Sequence, residues 1–154
     1  FWLLGSLAGV TPADVAAVLP FVVVGLLPLV LLRWRIGVLS LGDDEARALG
    51  VEAGPLRAAV IGAATLITAS AVAVSGVVGW VGLMVPHMAR LLVGPRFDRL
   101  LPASVLVGAT FMVAADTLAR SLAQVEVPLG VLTALIGGPT FVWLLARSRR
   151  LHLP

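Results

Sequence analysis

The stretch GWVGLMVPHMARLLVGPRFDRLLP, residues 79–102, decides how this chain folds. An apolar run is broken by Pro86-His87, arginines follow at 90, 96 and 99, and a second apolar run begins at Leu100. Such a stretch is either a surface loop or a short helix that reaches one face of a bilayer, turns on basic residues and leaves again. Composition sets the frame for choosing. The 154 residues are 60% hydrophobic and 12% charged, with a mean hydropathy of +1.08. A soluble domain carries roughly twice that charge and lacks repeated uncharged runs able to cross ~30 Å of hydrocarbon. The chain therefore reads as an all-α integral membrane protein. With no cysteine it has no disulfide, no thiolate metal site and no Cys nucleophile. Its eleven basic residues are all arginine, and the sequence pI is near 11.3. They are spread over short loops, which fits membrane topology better than a nucleic-acid patch. Phe1 opens the chain without the basic segment and cleavage site of a signal peptide, so a fragment or processed piece is expected.

Working outward, Val15–Leu32 is an uncharged run of 18 residues ending at Arg33 and Arg35. Thr11-Pro12-Ala13-Asp14 before it supplies an N-cap, a proline at the first helical position and an acid in the first turn. Ala58–Ala89 is uncharged for 32 residues, counting His87 as neutral. At ~1.5 Å per residue that is too long for one crossing and slightly short for two. Glycines 76, 79 and 82 in GVVGWVG permit a reversal. The parse is five spans at about 15–32, 58–76, 80–93, 100–119 and 127–146.

The arginines arbitrate. Five spans put Arg33, Arg35, Arg47, Arg57, Arg90, Arg96, Arg99, Arg147, Arg149 and Arg150 on one side and leave Arg120 alone on the other. Four spans, with 80–93 as a surface loop, split them four against six with Arg120 beside the four. The excess of Arg on cytoplasmic loops favours five spans. The cytoplasmic segment 39–57, LSLGDDEARALGVEAGPLR, is then the longest polar stretch on its side. Ser40 or Asp43 can cap a helix whose first turn holds Asp43, Asp44 and Glu45, complementing the helix dipole. Gly50 is a natural stop and Gly54-Pro55 a restart, giving one or two short helices beneath the membrane, with Leu41, Ala46, Leu49 and Val51 as apolar surface.

His87 is a weak metal or catalytic candidate. The only other histidine is His152, no carboxylate lies at ligand spacing, and Ser70 and Ser75 lack a nucleophile motif. A structural role fits better: Pro86 kinks the helix and His87 bonds a carbonyl that the kink frees. Asp116 and Arg120 share a helix face, four residues apart. They either neutralise each other or leave Arg120, oriented by Asp116, presented to an acidic partner. The acidic triplet is either a solvated loop or the grip of a soluble cytoplasmic subunit. Gly137, Gly138 and Pro139 serve close helix packing or a kink.

Taken together, GWVGLMVPHMARLLVGPRFDRLLP, ADTLAR, VPLGVLTALIGGPTFVWLLARSRR, FWLLGSL and LSLGDDEARALGV resemble the FecCD-type permeases. These are the membrane subunits of ATP-binding-cassette importers for iron–siderophore, haem and cobalamin. The resemblance runs through essentially the whole chain, in order. It implies a polytopic bundle of which spans one to five here are helices six to ten, the C-terminal half of a ten-helix permease, with no covalent catalysis and no cofactor. It implies an ATPase-coupling segment at Asp43, Asp44, Glu45, Ala46, Arg47 and Gly50, although the acid-to-glycine spacing is kept more faithfully than the residue identities. It implies that Arg120 docks an extracytoplasmic substrate-binding protein, and that Pro86, His87 and Arg90 form a structural signature. The implied partners are a cytoplasmic ATPase, that binding protein, a second permease copy (homodimer or heterodimer) and the lipid bilayer of the bacterial inner membrane, and no nucleic acid. The rival readings are a secondary transporter or channel fragment without an ATPase, and an intramembrane enzyme using His87 and a serine.

Overall fold

The computed structural model describes the backbone of residues 4–122 and 128–150 and the side chains of residues 4–121 and 128–142. The described residues form seven α-helices and no strand: α1 Pro12–Leu31, α2 Arg33–Leu39, α3 Asp43–Ala48, α4 Ala53–Ser75, α5 Val81–Val93, α6 Phe97–Leu122 and α7 Leu129–Arg150. Five overlap the expected spans, and α2 and α3 are the short helices between the first two. Among the described residues, three helices are long and apolar enough to cross a membrane: α1, α4 and α6 as far as Ser121. Helix α5 has 13 residues, about 20 Å by helical rise, and the apolar part of α7 runs from Leu129 to Val142. Length and composition by themselves qualify three of the described helices as spans and leave the number of crossings open.

Helix ends differ from the apolar runs for a consistent reason: charged and capping residues extend a helix beyond its hydrocarbon-facing part. Helix α1 begins at Pro12, earlier than 15, because Thr11 and Asp14 form a reciprocal capping box, with the Asp14 amide donating to Thr11 Oγ1 at 3.3 Å and the Thr11 amide to Asp14 Oδ2 at 2.9 Å. Helix α4 begins at Ala53 rather than 58, carrying Arg57 within its first turns. Helix α6 runs from Phe97 rather than 100, and α7 continues past 146 to Arg150. The expected start of the last span at Val127, and His152, lie outside the described residues, as do the side chains of Arg147, Arg149 and Arg150.

The chain divides into two compact units. In the unit of residues 10–74 and 95–99, α1 meets α4 where Gly25 has no side chain; a Cβ there would stand 2.5 Å from Ile67 Cγ1 and 3.0 Å from the Ala63 carbonyl oxygen. Otherwise α1 is apolar around its circumference and hardly covered: only Gly25 and Leu29 are buried, while Val15, Leu19, Phe21, Val24 and Leu31 are exposed. Such a helix needs lipid or further protein as its solvent. Val38, Ala46, Val51 and Leu56 form this unit's core, joining α2, α3 and the start of α4.

In the other unit, residues 1–9, 75–94 and 100–154, a core of Ala115, Ala119, Leu129 and Leu132 joins α6 to α7. Three backbone segments converge beside it. The Ser6 amide donates to the Ser75 carbonyl at 2.9 Å, and the Leu129 amide, unpaired within its own helix, donates to the Gly5 carbonyl at 2.9 Å. Glycines allow the approach. A Cβ on Gly130 would stand 2.5 Å from the Leu4 oxygen and 2.9 Å from the Val77 oxygen. The stretch 76–82, expected to reverse the chain, is a break between α4 and α5, with Gly76 at φ +71°. It ends on Trp80 at φ +66°, a conformation rare for a bulky residue. The indole meets Phe141 of α7 at a centroid distance of 6.1 Å, and a Cβ on Gly137 would stand 2.8 Å from Trp80 Cβ. Gly137 thus serves close packing, whereas Gly138 faces open space.

Candidate functional site

The acidic triplet opens α3, but neither Ser40 nor Asp43 caps it. Gly42 occupies the N-cap at φ +128° with no side-chain bond, and Ser40 Oγ donates instead to the Gly37 carbonyl at 2.6 Å. Asp43 is freed for a longer reach. Arg57, one turn into α4, grips it with both guanidinium nitrogens, Nη2 to Oδ1 at 2.6 Å and Nη1 to Oδ2 at 3.0 Å. The other end of α3 closes as a Schellman turn. The Val51 amide donates to the Ala46 carbonyl at 2.8 Å and the Gly50 amide to Arg47 at 2.9 Å, with Gly50 at φ +73°. Ala46 and Val51, thereby juxtaposed, are buried. The helix is held at its start by an ion pair, at its end by a turn, and from beneath by Ala46. Leu41 and Leu49, expected as apolar surface, stay exposed.

What remains outward is Asp44, whose side chain is 94% exposed and only loosely matched to Arg47 at 3.5 Å. Glu45 and Arg47 are exposed beside it. Hydrogen bonds from Arg57 hold the Asp43 carboxyl below its usual range, with the nearby charges of Arg57 and Arg47 adding to the effect against a smaller cost of desolvation than the bonds repay. A depressed carboxylate contributes stability above its ordinary pKa of roughly 3.9 and loses it as pH falls through the depressed value. A nitroxide on Ala48→Cys, in a chain with no other cysteine, is therefore expected to report an immobile α3 from about pH 7 to about pH 5. A modest rise in mobility is expected only in stronger acid, and Arg57→Ala should show the same modest rise at neutral pH.

Near the other end of α6, Arg120 Nε donates to Asp116 Oδ2 at 2.8 Å. Asp116 is the more covered partner, its side chain 25% exposed against 58% for Arg120. The carboxylate thus holds the guanidinium through Nε, and its Nη groups make no hydrogen bond among the described residues. His87 Nδ1 bonds the Leu83 carbonyl at 3.2 Å, so that nitrogen carries the proton, and its ring meets Phe141 edge-on at 5.7 Å. The acceptor differs from the one expected: Pro86 removes the amide that would serve Gly82, one residue earlier. Arg90 is exposed, with no ion pair among the described residues. Ser70 Oγ donates to the Leu66 carbonyl at 2.6 Å, so the hydroxyl, like His87, is spent on its own helix. No group of three or more His, Cys, Asp or Glu fit to hold a metal occurs among the described residues. Sequence reading missed Arg57, which counted only as a basic topology marker; fourteen residues from Asp43, its pairing has no local signature.

The family model described as the FecCD transport family matches residues 1–147. A probable iron chelatin transport system permease protein of Helicobacter pylori (strain ATCC 700392 / 26695) is 41% identical over 96% of this chain and 45% of its own length. The molybdate import system permease protein MolB of Haemophilus influenzae is 46% identical over 97% of this chain and 44% of its own. The hemin transport system permease protein HmuU of Yersinia pestis is 40% identical over 96% and 45%. A solved structure of an inward-facing ABC transporter of metal-chelate type superposes with a TM-score of 0.91 at 44% identity, covering 96% of this chain and 48% of that one. The chain thus spans about 45% of the length of the curated relatives it matches. The family consists of ABC transporter permeases, translocation subunits of the membrane rather than enzymes. By sequence and by fold, this multi-pass membrane chain belongs to the FecCD transport family.

Proposed function

We propose that the chain is the C-terminal half of a permease subunit in an ATP-driven importer for iron–siderophore, haem or cobalamin-type substrates. In this reading α1, α4, α5, α6 and α7 are five transmembrane helices, six to ten of a ten-helix subunit. Helix α3 seats on a cytoplasmic ATPase through Asp44, Glu45 and Arg47, and Arg120 docks an extracytoplasmic substrate-binding protein. A second permease copy would complete the translocation path. The observation that carries the reading is the mounting of α3: a six-residue helix pinned at both ends, with Asp44 turned outward. A bare solvated loop has no need of such fastening. The match does not select the cargo, because relatives named for iron chelate, cobalamin, hemin and also molybdate match the same stretch at 40–46% identity.

Single cysteines test it. Asp44→Cys is expected to cross-link a nucleotide-binding ATPase in native membranes, and Arg120→Cys an external binding protein. A correctly oriented chain that captures neither favours a transporter or channel fragment without an ATPase and sinks the proposal.

A further inference from the structure

A cleft of about 680 Å³ lies where α1 passes into α2 and where α6 begins, lined by Arg33, Trp34, Arg96 and Asp98 among others. That volume falls within the range of small-molecule sites, about 300–1,000 Å³. Its charges are unequally committed. Arg96 chelates Asp98, Nη2 to Oδ2 at 3.0 Å and Nε to Oδ1 at 3.3 Å. Arg33 has no ion pair among the described residues. Two guanidinium groups against one carboxylate leave the cleft with a net charge of +1, placed on Arg33. The apolar side is equally specific. Leu27 and Leu31, one turn apart, and then Trp34 form an exposed apolar row leading to the cleft, with Leu31 71% and Trp34 64% exposed. The row follows the end of α1, a helix able to cross the membrane, and the opposite wall is the start of α6, another.

We propose that this cleft binds the headgroup of an anionic phospholipid: its phosphate on Arg33, its glycerol region against the Trp34 indole, and one acyl chain along Leu31 and Leu27. Basic pockets beside membrane helices are suited to phosphate headgroups, and tryptophan prefers the same depth. A soluble anion would satisfy Arg33 but leave the leucine row uncovered. An acidic protein segment would likewise have to cover a row that begins inside the span.

The test is native mass spectrometry of the purified chain released from micelles containing equal amounts of phosphatidylglycerol and phosphatidylcholine of one acyl composition. Phosphatidylglycerol is expected to be retained preferentially. Arg33→Gln should lower that preference roughly fivefold, the value of one cationic contact near an anionic surface. Arg35→Gln removes the same charge two residues away, outside the cleft, and should leave the preference unchanged. Should Arg33→Gln fail to fold, Arg96→Gln carries the same comparison. Equal retention of the two lipids, or an equal loss in the Arg33 and Arg35 variants, overturns the site. Displacement by inorganic phosphate as effectively as by phosphatidylglycerol reassigns it to a free anion. If Arg33→Gln spares the lipid but abolishes ATPase capture at Asp44→Cys, the cleft is a protein surface and the proposal falls.

Discussion

Gly130→Ala is expected to prevent the unit that contains α5 and α7 from assembling, although alanine is the smallest possible addition and an excellent helix former. The new Cβ would stand 2.5 Å from the Leu4 oxygen and 2.9 Å from the Val77 oxygen. Both atoms belong to backbone, so no rotamer change relieves either contact. Moving Leu4 also strains the neighbouring bond from the Leu129 amide to the Gly5 carbonyl, which serves a helix-terminal donor. Overpacking by one methyl typically costs ~1–3 kcal/mol. With two rigid contacts at once, the loss should exceed about 3 kcal/mol. Thermal unfolding in detergent, followed through the Trp80 indole, gives the magnitude. Gly138→Ala is the matched control eight positions along the same helix, where no atom of the described residues lies within 4 Å of the added carbon. There the change should be neutral or stabilising by about 0.5–1 kcal/mol. Equal melting of the two variants would show that the three-segment junction has more slack than its distances indicate.

Ala46→Glu should have a comparable effect, confined to α3. Ala46 is completely buried against Val38, Val51 and Leu56. A carboxylate there would enter an apolar cluster, and an unpaired buried charge costs roughly several kcal/mol. The cheaper outcome is release of α3: the six-residue helix lifts away, the Schellman turn at Gly50 opens, and the Asp43–Arg57 pair breaks. The apolar spans have their own reasons to insert and should remain in the membrane. The nitroxide at Ala48→Cys should become mobile and, on the proposed reading, capture of an ATPase through Asp44→Cys should disappear. Asp43→Asn, which weakens one exposed pair and leaves the pocket intact, should do far less. Retained capture in Ala46→Glu would mean that the ATPase seats elsewhere, while an immobile label would mean that α3 is held by something other than its underside.

These two variants mark the boundary between what was legible in the residues and what was not. The membrane character and the helical class could be read directly. Crossing hydrocarbon requires only a sufficient length of apolar helix, a condition each segment meets or fails by itself. Local chemistry was equally readable where its partners are a few residues apart: the Thr11–Asp14 box, the Gly50 stop and the Asp116–Arg120 pair. A resemblance spread over the whole chain supplied the family, since a motif can be matched without knowing what its residues touch.

Tertiary structure decided the rest. Arg57 looked like one more basic marker until the start of α4 was brought beside α3. Gly5 and Gly130 carried no signal of their own in the sequence, and only the meeting of three backbone segments makes each indispensable. Trp80 would not be assigned a left-handed conformation from sequence, because what holds it there, Phe141 and the bare face of Gly137, lies on a different helix. Arg33 and Arg96 share a cleft although the whole of α4 and α5 lies between them along the chain. The reason is common to all four. Span length and end capping are set within a turn or two of helix, whereas ion pairs, glycine contacts and clefts depend on where two helices cross, and that position is fixed jointly by every side chain packed between them.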